Sequence, residues 1–145
     1  MSSLCASPPW VSLQYVGPKH ELREVQGIER ESDLGENIRA RWSADNGRTW
    51  SDFQPVQPSN RVHYRGVAVW EGESVSVYHP AVARLVQLWL RQIEVKGVYH
   101  NFTYVRTSAD QGRTWSEPAQ LRYEDGAPFD PEEPLKASFL DRTEG

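Results

Sequence analysis

Arg61, Arg65, His79 and His100 are the residues whose type and placement make ligand binding or proton transfer chemically available. Guanidinium groups clamp planar anions such as carboxylates through paired hydrogen bonds. Arg61 and Arg65 precede a predicted inner strand, a place where pocket residues can sit. The two histidines lie near predicted strand ends, from which loops project polar groups, and imidazole titrates near neutral pH. Each also has a plainer reading, the arginines as solvated loop cations and the histidines as ordinary hydrogen-bonded or exposed side chains. Glu71, Glu73 and Glu94 supply carboxylates of the kind that cleave a glycosidic bond in pairs, but their separation in space decides that chemistry. His63, Tyr64 and His79 lack a recurrent metal-ligand spacing, so no metal or other cofactor is indicated. Cys5 is alone, which excludes an intrachain disulfide and leaves the compartment undetermined.

The elements that would position such groups are organised by a repeat. Residues 41–51 read Arg-Trp-Ser-Ala-Asp-Asn-Gly-Arg-Thr-Trp-Ser and residues 106–116 read Arg-Thr-Ser-Ala-Asp-Gln-Gly-Arg-Thr-Trp-Ser, identical at nine of eleven positions and offset by 65 residues. Strand-like sequence precedes each copy, Asn37–Trp42 and Asn101–Thr107, and follows it, Trp50–Val56 and Trp115–Arg122, so each copy is read as a hairpin connection. The residue types suit a tight reversal. Asp45 and Asp110 can accept N–H groups of their own turn. Gly47 and Gly112 supply a positive φ. Ser43 and Ser108 add a hydroxyl, Thr49 and Thr114 restart the strand, and Trp50 and Trp115 offer large rings for burial between sheets.

The pattern Ser-x-Asp-x-Gly-x-Thr-Trp, present at 43–50 and 108–115, resembles the Asp-box, or bacterial neuraminidase repeat, of the sialidase superfamily. The resemblance is close over 37–56 and 101–122 and loose between them. It implies an all-β fold, a partial sialidase-like β-propeller of about two four-stranded blades, within a single domain over 1–145. Blade 1 is expected at about 8–58 and blade 2 at about 62–123, with 124–145 a loop and the start of a further blade or a tail. The 65-residue offset exceeds the roughly 40 to 50 of familiar blades and suits one extended loop. By the same resemblance the box residues are structural, lying on the side away from an active site. A sialidase would also need an arginine cluster, a Tyr nucleophile with its Glu, and an Asp acid. The Phe-Arg-Ile-Pro motif that marks the first such arginine in the family does not occur here.

Between the boxes, Gly66–Trp70 and Ser74–Tyr78 flank a turn-like Glu71-Gly72-Glu73 and read as a hairpin. Residues 80–97 fit two templates. Val82, Leu85, Val86, Trp89, Leu90 and Ile93 follow a helical spacing bounded by Pro80 and Gly97. Their place just upstream of a box strand, and an apolar run suited to burial on both faces, select a strand instead. Asp125–Pro134 reads as a loop, and Leu135 to Leu140 as the beginning of another strand.

Composition agrees with a β-rich domain, since six Trp, six Tyr and four Phe stand against one Met. A net charge of −4 with scattered arginines argues against nucleic acid. No run approaches the roughly 20 apolar residues of a membrane span, and Met1 to Trp10 lacks the pattern of a signal peptide, so an exported protein would carry its signal elsewhere. Asn101-Phe102-Thr103 fits a glycosylation sequon, incidental in a strand.

Two blades leave raw edges at both ends, so the chain is expected either to be a fragment or to assemble, for instance as three two-blade copies making six blades. Its unfinished C-terminal element favours the fragment. The functional expectation is a sialidase-like glycosidase fragment that acts on or binds a glycan and is catalytically incomplete alone. The alternatives are a noncatalytic lectin-like propeller, with Trp70 or Trp89 stacking on sugars, and a structural or interaction propeller.

Overall fold

Period-two alternation and turn chemistry divide the chain into strands, and the computed structural model, which describes residues 9–31, 34–59, 61–64, 67–95 and 97–122, is all-β over that span. The strands among these residues are β1 (Trp10–Tyr15), β2 (Leu22–Glu31), β3 (Leu34–Ser43), β4 (Gln54–Ser59), β5 (Arg61–Tyr64), β6 (Val67–His79), β7 (Arg84–Val95), β8 (Val98–Ser108) and β9 (Ala119–Gln120). They form two antiparallel sheets in simple chain order, β1-β2-β3-β4 and β5-β6-β7-β8-β9. Each sheet carries one box, between β3 and β4 and between β8 and β9. The second sheet has one strand more than the four expected, because β5 pairs with the first part of β6.

The 80–97 stretch is a strand. One turn of 3-10 helix, Pro80–Val82, ends on Ala83 in the left-handed region (φ 49°) and reverses the chain into β7. Leu85, Gln87, Trp89, Arg91 and Ile93 then alternate as the buried set. An unbroken ladder to β8, from Leu85 opposite Ser108 to Val95 opposite Val98, fixes that alternation.

The hairpin expected around Glu71-Gly72-Glu73 does not form, and β6 runs through it as a single strand. Glu71 stands opposite Arg91 and Ser74 opposite Trp89, so β6 spends one residue more than β7 across this step. That is a β-bulge. The long partner β7 keeps the ladder going on both sides, so the acidic, glycine-containing sequence is absorbed as a kink that aims Glu71 across the sheet.

The strands following the boxes start later than expected, at Gln54 and Ala119. Before them the hairpins are held by matched bonds. Ser51 N donates to Trp42 O at 2.9 Å and Ser116 N to Thr107 O at 2.8 Å. Each serine hydroxyl in turn accepts the N–H of the same partner at 3.0 Å. The loop at 125–134 and the further strand at 135–140 lie outside the described residues.

Two apolar clusters make the core. Val69, Trp89, Ile93, Phe102 and Tyr104 cluster on one face of the second sheet. Val16, Ala40 and Trp42 of the first sheet meet Leu85 of the second, with Val25, Val56, Tyr78 and Trp115 packed around them. Full burial of a large apolar side chain stabilises by about 1.5–3 kcal/mol. This second cluster therefore joins the two sheets face to face.

Candidate functional site

The two boxes fold into the same hydrogen-bonded turn. In the first, Ser43 Oγ donates to Asp45 Oδ1 (2.8 Å) and accepts from Gly47 N (2.8 Å). Asp45 accepts Thr49 N on Oδ1 (2.8 Å) and Thr49 Oγ1 on Oδ2 (2.7 Å). The second repeats each contact: Ser108 with Asp110 (2.7 Å) and Gly112 (2.8 Å), and Asp110 with Thr114 N (2.8 Å) and Thr114 Oγ1 (2.6 Å). Gly47 (φ 83°) and Gly112 (φ 84°) take the left-handed conformation, and so do Asn46 (φ 61°) and Gln111 (φ 66°) just before them. Asn tolerates that region more readily than Gln.

Thr49, through its N–H and then its hydroxyl, together with Ser43, draws the Asp45 carboxyl down to about 2. Burial pushes Asp110 up, but bonds from the Thr114 hydroxyl and N–H, Ser108 and Arg113 outweigh it and bring it also to about 2. Both carboxylates are spent inside their own turns, which leaves them building loops rather than moving protons.

The interior chemistry lies on the face of the second sheet that packs against the first. Here arginine and aromatic side chains alternate. Arg23, from the first sheet, stands 5.7 Å from the Trp115 ring centroid, and Arg106 stands 4.6 Å from the same ring. Arg106 also lies 5.0 Å from Trp89, and Arg91 lies 4.3 Å from Tyr104. The ladder ends on Glu71, which accepts from Arg91 Nη2 at 2.6 Å and from the Trp89 indole at 3.3 Å. Gln87 Oε1 accepts Arg106 Nε at 2.6 Å.

Guanidiniums are less strongly hydrated than ammonium groups, and aromatic faces attract them, so the rings share in compensating their charge. The compensation is partial. Burial and the nearby Arg106 charge bring Arg23 down to about 10, and its Nε finds no hydrogen-bond partner among the described residues. Burial also lowers Arg106, opposed by Glu71 and reinforced by Arg91.

Of the residues singled out for binding, the described ones, Arg61, His79 and His100, are not brought together. Arg61 is exposed and shares a ladder row with Trp70, Gln92 and Asn101. His100 is buried in the adjacent row with Ile93 and Val69, and adjacent rows face opposite sides of a sheet. His79 is exposed at the far end of β6, roughly 30 Å from Trp70 at about 3.3 Å per residue. Arg65 lies outside the described residues. Trp89, considered for sugar stacking, is buried at 6% exposure against arginines and is closed to a ligand. Glu94 is exposed on the face opposite Ile93. Among the described residues no group of three or more His, Cys, Asp or Glu is placed to hold a metal ion.

Sequence reasoning passed over Arg23, Arg91 and Arg106. Their signal is a charged residue at the buried phase of an alternating strand, and it becomes visible only once that phase is known. No family model matches the sequence, and no curated protein matches it closely enough to lend it a role.

Proposed function

We propose that the chain is a sialidase-like Asp-box propeller segment that binds carbohydrate, with hydrolysis requiring groups beyond the described residues. The observation that carries the reading is the doubled box: two copies, each closing the final hairpin of its own antiparallel sheet with the same Ser, Asp, Gly and Thr contacts. Face-to-face stacking of these sheets supports it, since a propeller is built by radial repetition of such units. The carboxylates held in turns or in the interior are committed: Asp45 and Asp110 to their threonines, Glu24 to Arg41 and Gln26, and Glu71 to Arg91 and Trp89. A sialidase-like site would draw on a Tyr nucleophile with its Glu and on an Asp acid, and these committed carboxylates supply neither.

The purified chain is therefore expected to bind immobilised glycans saturably, with competition by free sugar, while hydrolysing a fluorogenic sialoside no faster than buffer does. A blank glycan array removes the reading. Measurable sialoside turnover removes its noncatalytic part.

A further inference from the structure

Superposing the two boxes in sequence also aligns the rest of each sheet. Leu22 stands opposite Ser43 and Leu85 opposite Ser108; Tyr15 stands opposite Leu22 and Tyr78 opposite Leu85. One face of each sheet, here its back, thus carries the same four residues: Leu22 and Leu85, Tyr15 and Tyr78, Arg41 and Arg106, Trp50 and Trp115. In the second sheet this back is covered. Leu85, Tyr78 and Trp115 pack on Trp42, Ala40 and Val25, which occupy the front of the first sheet. Arg23 lies over Trp115, and the Trp42 indole donates to Gln111 O at 2.9 Å, so the front of one sheet reaches the box turn of the next. The packing is front to back, a heterologous step that uses two different surfaces.

Among the described residues such a step leaves exposed apolar side chains on two surfaces: the back of the first sheet, where Leu22 and Glu24 are themselves buried, and the front of the second. On the former, Tyr15 is 54% exposed and its neighbour Leu13 58%, while Arg41 lies over the Trp50 ring just as Arg106 lies over Trp115. On the latter, half-buried Val86, Val105 and Thr107 occupy the places of Arg23, Ala40 and Trp42, beside Val75 and Val77, which are 68% and 54% exposed. Contiguous exposed β-branched residues of this kind mark an interaction surface.

We propose that a second copy of this chain docks there, the front of its second sheet seated on the back of the first sheet of its neighbour, in the front-to-back order found within one chain but through apolar side chains. The inference rests on the repeated-sheet part of the proposed function and not on sugar. Repetition gives a closed ring where the rotation closes.

Light scattering on the full chain, without sugar and across a range of concentrations, tests it together with two surface variants, Val77→Lys on the front and Leu13→Lys on the back. The unaltered chain is expected at an integral multiple of its single-chain mass. Each variant alone should fall to single-chain mass with an unchanged far-ultraviolet circular dichroism spectrum. Mixed, they should form a one-to-one pair, because one retains a sound back and the other a sound front. A single-chain mass for the unaltered protein overturns the proposal, as does an assembly that either variant leaves intact or a mixture that stays unpaired. A blank glycan array would leave all these masses unchanged, so the two readings fail separately.

Discussion

Asp45 and Asp110 hold their turns only as carboxylates, and acid therefore reaches the boxes before the apolar core. Both pKa values lie at about 2 in the folded chain, below the ordinary value of about 3.9. A depressed folded-state pKa contributes stability that is complete above the ordinary value and is lost as pH falls through the folded value. Urea unfolding is thus expected to show stability declining between about pH 4 and about pH 2, with the decline reduced in an Asp45→Asn, Asp110→Asn double variant. The paired glycines give a sharper contrast. Both have positive φ, so Gly47→Ala and Gly112→Ala each incur about 1–2 kcal/mol of backbone strain. An added Cβ at Gly47 meets its nearest atom at 3.5 Å, but at Gly112 it meets Trp115, Leu85 and Arg23 at 3.1, 3.2 and 3.3 Å. Thermal unfolding should therefore show Gly112→Ala as the more damaging change, and equal losses would contradict the closer packing of the second box.

Among the elements, the box hairpins are the most legible in sequence, because Ser, Asp, Gly and Thr act within a few residues of one another. β7 was harder to read. Leu85, Trp89 and Ile93 satisfy both a helical and an alternating pattern, and polar Gln87 and Arg91 at the buried phase disguise the alternation. The Glu71 bulge is hidden in the sequence because Glu-Gly-Glu has the composition of a turn, whereas its conformation is set by pairing with β7, a nonlocal property. The arginine ladder was illegible for the same reason, since Arg23 and Arg106 meet across two sheets. The bulge leads to a prediction of its own. Arg91 and Glu71 are 7% and 16% exposed in their side chains, so Glu71→Ala removes a 2.6 Å carboxylate contact from a buried guanidinium. Loss of one member of such a pair costs about 3–5 kcal/mol. Denaturant titration should register that loss in the midpoint, and an unchanged midpoint would contradict a stabilising Glu71–Arg91 pair.

At the scale of the molecule, two sheets bearing the same turn and the same four back-face residues stack front to back, and this stacking is the premise of both the proposed carbohydrate binding and the proposed head-to-tail assembly. One contact stands for the whole arrangement. The Trp42 indole, on a residue 6% exposed in the first sheet, donates to Gln111 O in the box turn of the second, beneath the Arg113 guanidinium at 4.6 Å from its ring. The most direct measurement is the nuclear Overhauser spectrum of the Trp42 indole N–H, assigned by its disappearance in Trp42→Phe. Stacked sheets predict cross-peaks from that proton to the Gln111 and Gly112 backbone and slow exchange with solvent. An indole proton that exchanges freely and shows no cross-peak to the second box would contradict the stacking.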